Sequence, residues 1–363
     1  MNFLASNPQM RILIAGGGTG GHVIPALAIA RELKAQYAAE ILFVGTARGI
    51  ENRLVPQAGF KLALIKVGAL KNVSVTTRLR TLVGLPLAVL HARKIVRAFG
   101  PQVVVGVGGY ASGPAMAAAI QDRIPTLAFE SNYVPGFANR VVGRRVSAAA
   151  VHFKETQSYF RNARVVGVPV RPEFFAIAPR AVNARPTLLI FGGSQGAHAI
   201  NQAVTATILE VQRKVPDLHV IHQTGERDYN DVQAAYTRAG TSAEVSAFID
   251  NMPQAFAQAD LLVCRAGAST VAEITAAGKP AVFIPFPRAA DDHQRRNAEA
   301  VAASGAAIVI TEAELTPERL AQTISELFAD REKLRQMSEK ARALSHPNAT
   351  KEVAQMIAEL AKA

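Results

Sequence analysis

The chain sets out one local layout twice. Residues 12–15 are a short apolar run of the kind a buried parallel strand needs. The glycine-rich stretch 16–21 follows at once, and 23–33 carries Ile24, Leu27 and Ala28 at helical spacing. Residues 187–191, then Gly192-Gly193-Ser194-Gln195-Gly196, then 197–209 repeat the order strand, glycine loop, helix. Such a loop turns backbone N–H groups toward the positive end of a helix dipole, so anionic oxygens could approach either one. Within 363 residues, two such starts imply two doubly wound, Rossmann-like α/β domains.

Other apolar runs fill in the alternation. Strands are predicted at 41–44, 62–65, 103–105, 126–129 and 148–151, and again at 219–223, 244–248, 261–264, 281–284 and 307–310. Alternating strands and helices indicate parallel sheets covered on both faces. Pro169, Pro172, Pro179 and Pro186 mark a boundary, giving expected domains 1–168 and 169–346.

Charge divides at the same place. Residues 1–170 hold 20 Lys and Arg against 6 Asp and Glu, whereas 171–363 hold 20 against 22. The basic half could serve nucleic acid, an anionic membrane surface or a phosphorylated substrate. Nucleic acid is the weakest of these, because zinc-finger spacing, an RNP-like aromatic motif and a Lys-rich arm are all missing. Residues 70–98 mix Leu79, Leu82, Val83, Leu85, Leu87, Val89 and Leu90 with Lys71, Arg78, Arg80, Arg93, Lys94 and Arg97. That stretch is too short in its apolar part to span a bilayer. It is either a helix lying on an anionic leaflet or a core-facing helix with a solvated basic face. A lone cysteine, Cys264, allows no internal disulfide and suits a reducing compartment. Residues 1–10 lack the features of a signal peptide.

Gly16-x-Gly18-x-x-Gly21 formally fits a dinucleotide fingerprint. The second strand, however, ends Val44-Gly45-Thr46 without the acid that would hold a ribose, which counts against NAD or FAD. His22, at the far edge of the loop, is also foreign to that fingerprint. A second glycine loop, 106–114, precedes a helix at 115–120. In the second half, Arg265-Ala266-Gly267-Ala268-Ser269-Thr270-Val271-Ala272-Glu273 follows a strand and opens a helix. Its first N–H groups could hold a diphosphate, and Glu273 could accept two ribose hydroxyls or serve only as a helix-terminal carboxylate. Asp291-Asp292-His293-Gln294-Arg295-Arg296-Asn297 lies just past another strand end. No metal is expected: Asp-x-Asp is absent, and His219 and His222 point to opposite faces of one strand. His91, His152, His198 and His346 read as ordinary surface or core residues.

Several of these motifs together resemble one family. They are 17–27 (Gly-Gly-Thr-Gly-Gly-His-Val-x-Pro-Ala-Leu), 108–114 (Gly-Gly-Tyr-x-Ser-Gly-Pro), 192–196, 266–273, and Asp292-His293-Gln294 with Asn297. Their order and spacing are similar to those of the N-acetylglucosaminyltransferases that act on undecaprenyl-diphospho-muramoyl-pentapeptide in peptidoglycan synthesis. One departure is Glu130-Ser131-Asn132, where that family has Glu-Gln-Asn. The resemblance implies a GT-B type fold, two Rossmann-like domains facing across a cleft, with a last helix (347–363) packing back on the first domain. It implies UDP-N-acetylglucosamine in the second domain. Ser194 and Ala268, Ser269 and Thr270, with Val271 and Ala272 behind them, would lie at the phosphates. The Ile249 backbone would meet the uracil, Glu273 the ribose, Gln294 the sugar, and Arg171 would sit near the nucleotide. The lipid-linked acceptor would lie in the first domain, with Thr19, Gly20, Gly21 and Asn132 near the reacting sugars. The implied enzyme is peripheral at the cytoplasmic face of the bacterial plasma membrane and uses no cofactor.

Such a transfer would invert the anomeric centre and needs a base at the attacking hydroxyl and fixed positive potential at the leaving diphosphate. His22 is the candidate base, since imidazole ordinarily titrates near pH ~6.5. The other role open to it is to hold the acceptor by hydrogen bonds. A UDP-sugar 2-epimerase would share the donor site without needing a lipid acceptor. A nucleotide sensor would leave His22 and the loop at 108–113 without a task.

Overall fold

Runs of Val, Ile, Leu and Ala with no polar face become strands buried on both sides. A computed structural model describes residues 9–67, 75–181 and 184–362, with side chains from residue 84 onward in the helix that opens at Val75. Lys71 and residues 1–8, named above, lie outside the described residues, as do the side chains of Arg78, Leu79, Arg80, Leu82 and Val83. The chain divides into two units, Met1–Val170 with Asn348–Ala363, and Arg171–Pro347.

In the first unit β1 (Arg11–Ala15), β2 (Glu40–Gly45), β3 (Lys61–Leu64), β4 (Val103–Gly106), β5 (Thr126–Glu130), β6 (Ala148–Val151) and β7 (Ala163–Val165) form a parallel sheet. Its order is β3-β2-β1-β4-β5-β6-β7. The crossovers are α1 (Gly20–Tyr37), α2 (Glu51–Gln57), α3 (Val75–Phe99), α4 (Ser112–Gln121) and α5 (Phe137–Val142). Leu13 and Val104 are fully buried in one core with Met116 of α4 and Val96 of α3.

In the second unit β8 (Thr187–Phe191), β9 (His219–Gln223), β10 (Ala243–Ser246), β11 (Leu261–Cys264), β12 (Ala281–Phe283) and β13 (Ala307–Val309) pair in parallel in the order β10-β9-β8-β11-β12-β13. Its helices are α6 (Pro172–Phe175), α7 (His198–Lys214), α8 (Tyr229–Arg238), α9 (Met252–Gln258), α10 (Ala268–Ala277), α11 (His293–Ala303), α12 (Pro317–Ala329) and α13 (Arg331–Ala343). Helix α14 (Ala349–Lys362) returns to the first unit and packs on α1 and β4. Strand order reverses between β1 and β4 in one sheet and between β8 and β11 in the other, and crevices for ligands open at such points.

The expected α/β class and duplicated layout are what the structure contains. Two local expectations are corrected, and one strand was not expected. Helix α1 begins at Gly20, not at residue 23, because Thr19 is already its extended N-cap (φ −130°, ψ 162°); His22 therefore sits in the first turn and not in the loop. The strand expected at 244–248 is Ala243–Ser246, leaving Phe248 54% exposed beyond the sheet. The edge strand β7, three residues long and only partly covered, carries no periodic apolar signal.

Candidate active site

The first switch point is built by two glycine loops pressed together. Gly17 N–H donates to the Gly108 carbonyl at 3.3 Å, and a Cβ on Gly109 would lie 2.3 Å from the Gly17 oxygen. His22, on the first turn of α1, lies against this seam. A Cβ on Gly108 would stand 2.9 Å from its Nε2, and with φ at +92° that residue has a conformation suited to glycine. The His22 Nδ1 is 3.1 Å from the Gly17 carbonyl oxygen. A carbonyl can only accept, so Nδ1 carries the proton of the neutral ring. The lone pair is then on Nε2.

The loop after β5 is held from beneath. Glu130, 4% exposed, accepts the N–H and side-chain amide of Asn132 at 3.0 and 3.1 Å through one oxygen. Through the other it accepts Gly136 N–H and the Asn139 amide, each at 3.0 Å. Ser131, where the family has Gln, is buried behind this carboxylate.

The second switch point is left open. Gly193, Ser194 and Gln195 are exposed at the tip of the β8–α7 loop, which Gln223 steadies by donating to the Gly193 carbonyl at 2.8 Å. Gly196 (φ +72°) must be glycine, since a Cβ there would lie 1.8 Å from the Thr224 oxygen. Opposite, β11 runs into α10, whose N-cap Gly267 has no side chain to satisfy the first turn. The Ser269 hydroxyl is buried there without a hydrogen-bond partner. Thr270 is half-buried, Val271 and Ala272 are buried, and Ala268 is nearly so, which makes these last three the packed side of the turn.

Glu273 lies one turn further into α10. Burial pushes its carboxyl up to about 7, and the Arg171 charge opposes this. Arg171 itself stacks on Phe174, its guanidinium carbon 5.1 Å from the ring centre. The Gln294 side-chain oxygen accepts Phe286 N–H at 3.0 Å and Ala266 N–H at 3.3 Å, which ties two strand-end loops. Asn297 is fully buried and donates to the Ala266 carbonyl at 3.2 Å, so its part is to hold that loop. Ile249 lies in the β10–α9 segment, half-buried.

The structure thus gathers Thr19, Gly20, Gly21 and His22 on one helix start. Ala268 to Glu273 and Gln294 meet around another. Among the described residues no three His, Cys, Asp or Glu side chains are grouped to hold a metal ion. His198, read as an ordinary histidine, pairs with Asp228 at 3.0 Å. His222 is fully buried between Tyr236 and Asn201. Two buried carboxylates hold these loops: Glu51, which the sequence reading did not single out, and Glu130, which it named only as part of Glu130-Ser131-Asn132. Each lies in a half of the chain with few acids, and the one readable signal at Glu51 is that it follows glycines at 45 and 49.

Two family models match in order along the chain. The glycosyltransferase family 28 N-terminal domain covers residues 12–151 and its C-terminal domain residues 187–356. A protein of Myxococcus xanthus named UDP-N-acetylglucosamine–N-acetylmuramyl-(pentapeptide) pyrophosphoryl-undecaprenol N-acetylglucosamine transferase is 44% identical over 357 residues, covering 97% of this chain and 93% of that one. The crystal structure of MurG from Acinetobacter baumannii superposes with a TM-score of 0.82 at 32% identity, over 96% of this chain and 99% of that one. A UDP-GlcNAc 2-epimerase from Neisseria meningitidis has a TM-score of 0.65 at 12% identity, over 96% and 100% of the two chains, and shares the fold alone. The chain belongs to glycosyltransferase family 28.

Proposed function

We propose that the protein transfers N-acetylglucosamine from UDP-N-acetylglucosamine to the 4-hydroxyl of undecaprenyl-diphospho-N-acetylmuramoyl-pentapeptide, with inversion. The observation that carries this is the 44% identity, over almost the full length of both chains, to a transferase named for those substrates. The epimerase alternative has only a shared fold behind it.

In this reading the acceptor's O4 attacks the anomeric carbon while its proton passes to His22 Nε2. The bond from that carbon to the β-phosphate oxygen breaks, and the electron pair leaves with UDP. Support for His22 as base comes from the Nδ1 bond to Gly17, which leaves Nε2 as the proton acceptor. Thr19, Gly20, Gly21 and Asn132 line the acceptor side. The start of α10, with Ser194 and the unpartnered Ser269 hydroxyl, receives the diphosphate as its charge grows. Glu273 accepts the ribose hydroxyls, Arg171 balances its charge, the Ile249 backbone meets the uracil, and the Gln294 NH2 meets the sugar. The residues need no metal for these roles.

The basic first unit is the membrane-facing one. Leu87 (70% exposed), Leu90, Phe137 and Val141 stand out on α3 and α5 in the basic half of the chain, a combination suited to an anionic leaflet. Among the described residues no helix is long and apolar enough to cross a membrane. A water-soluble donor and a lipid acceptor support a peripheral position at the cytoplasmic face of the plasma membrane.

The test is UDP release with and without the lipid acceptor, in the presence of a chelator. Release only with acceptor, together with a disaccharide lipid, is the expected result. Release without acceptor and an altered free sugar would move the enzyme to the epimerase reaction.

A further inference from the structure

Glu51 has no part in the roles above, yet at 1% exposure it is a buried carboxylate in a half of the chain with few acids. Its oxygens are fully engaged at the base of the first switch point. Oε2 accepts the Gly18 N–H at 2.7 Å, and Oε1 accepts the Thr46 N–H at 2.9 Å and the Thr46 hydroxyl at 3.1 Å. The surrounding backbone is shaped to it. A Cβ on Gly17, Gly45 or Gly49 would come within 2.3, 2.6 or 1.9 Å of this side chain.

The Gly18 N–H and the Gly17 carbonyl belong to one peptide unit, planar and trans, so they point in opposite directions and turn together. Glu51 holds the N–H end of that plane and His22 Nδ1 holds the carbonyl end. The three groups form a chain of carboxylate, peptide and imidazole in which each hydrogen bond polarises the next. A carboxylate bonded directly to a histidine fixes the ring's tautomer and orientation in hydrolase triads, and here one peptide stands between the two groups.

We propose that Glu51 is a positioning residue for His22, acting through the Gly17–Gly18 peptide to hold the ring as its Nδ1–H tautomer with Nε2 facing the acceptor. This rests on His22 being the base. Glu51→Gln keeps the shape of the side chain but brings an NH2 against an N–H already donating there, which frees the peptide plane.

The test is a double-mutant cycle in the full-length protein, reading kcat and the KM for UDP-N-acetylglucosamine with the lipid acceptor saturating. Glu51→Gln is expected to lower kcat roughly 10- to 100-fold, by analogy with outer-shell residues that orient a ligating histidine. The donor KM should stay within about twofold, and the effect should shrink to under about twofold in a His22→Ala background. The ring 15N shifts of His22 should report a single Nδ1–H tautomer in the parent protein and a mixture in Glu51→Gln. An equal loss of kcat in both backgrounds overturns the proposal while leaving His22 a base, and an Nε2–H ring in the parent overturns both the proposal and proton transfer to Nε2. Full turnover by His22→Ala removes the base assignment and the proposal together. Should Glu51→Gln fail to accumulate, Thr46→Val removes one bond to the same carboxylate without changing charge. The cycle is then read on that variant, with a smaller loss that again vanishes without His22.

Discussion

Gly18 and Ser269 each stand beside the switch point of a parallel sheet, close to the first turn of a helix, and the chain treats them differently. Around Gly18 the donors are already spent: Gly17 N–H on the Gly108 carbonyl and Gly18 N–H on Glu51. A buried carboxylate also lies under the loop, which opposes a second anion there. Around Ser269 the helix start has a glycine N-cap, no acid in its first turn and a buried hydroxyl with no partner. The Gly16–Gly18 loop is finished and has a proton acceptor beside it, and the start of α10 keeps a buried unpartnered hydroxyl for an anion. A glycine loop before a helix is therefore no evidence of phosphate binding until its donors have been traced.

The largest expected effect falls on the finished side. His22→Ala should lower kcat by roughly 100- to 10,000-fold, the range for loss of a general base, with UDP affinity within about twofold by titration. A parallel loss of UDP affinity would mean that the first switch point holds the nucleotide, and the contrast would collapse.

On the side of α10, Glu273→Gln should raise the KM for UDP-N-acetylglucosamine by roughly tenfold and leave kcat little changed, since a charged acceptor for two hydroxyls is lost. A fall in kcat at constant KM would place Glu273 with the chemistry instead.

The raised Glu273 carboxyl sharpens the same contrast through pH. Ribose hydroxyls donate to the ionised form, so UDP binding should release a proton near pH 7 and tighten as pH rises through that region. Calorimetry in buffers of different ionisation enthalpy would detect this. Without nucleotide the sign for stability is reversed. With the folded value about 7 against an ordinary 4.5, the folded chain holds more protons over that interval, so stability falls as pH rises from 4.5 to 7. Glu273→Gln should flatten the melting temperature across this window.

The smallest effect belongs to Ser269→Ala. It should weaken UDP by about two- to fivefold, the worth of one hydroxyl hydrogen bond, while the melting temperature holds or rises because a buried unpartnered hydroxyl is gone.

Much of this was legible in the residues. Apolar runs such as 188–191 and 261–264 made their strands readable, because strands buried on both faces carry mostly apolar residues. The glycine loops were legible because their backbone geometry demands glycine at fixed offsets. The start of α1 was not, since Gly20 and Gly21 have low helix propensity and are helical only because Thr19 and the tethered Gly18 launch the turn. Nor was the use of the loop donors. Glu51 reaches Gly18 across 33 residues of sequence, and the partner of a backbone N–H is a tertiary fact. His222, set aside as a metal ligand because His219 points to the opposite face, is a core residue whose two nitrogens are occupied by Asn201 and Tyr236.

The central claim is that the Gly16–Gly18 donors are spent and that the diphosphate is received at the start of α10. It is tested most directly by following backbone amide shifts in the full-length protein as UDP is added. The account predicts that the largest changes fall on Ser194 and on Gly267 to Thr270, with Gly16 to Gly18 unmoved. Large shifts at Gly16 to Gly18, with Gly267 to Thr270 quiet, would contradict it.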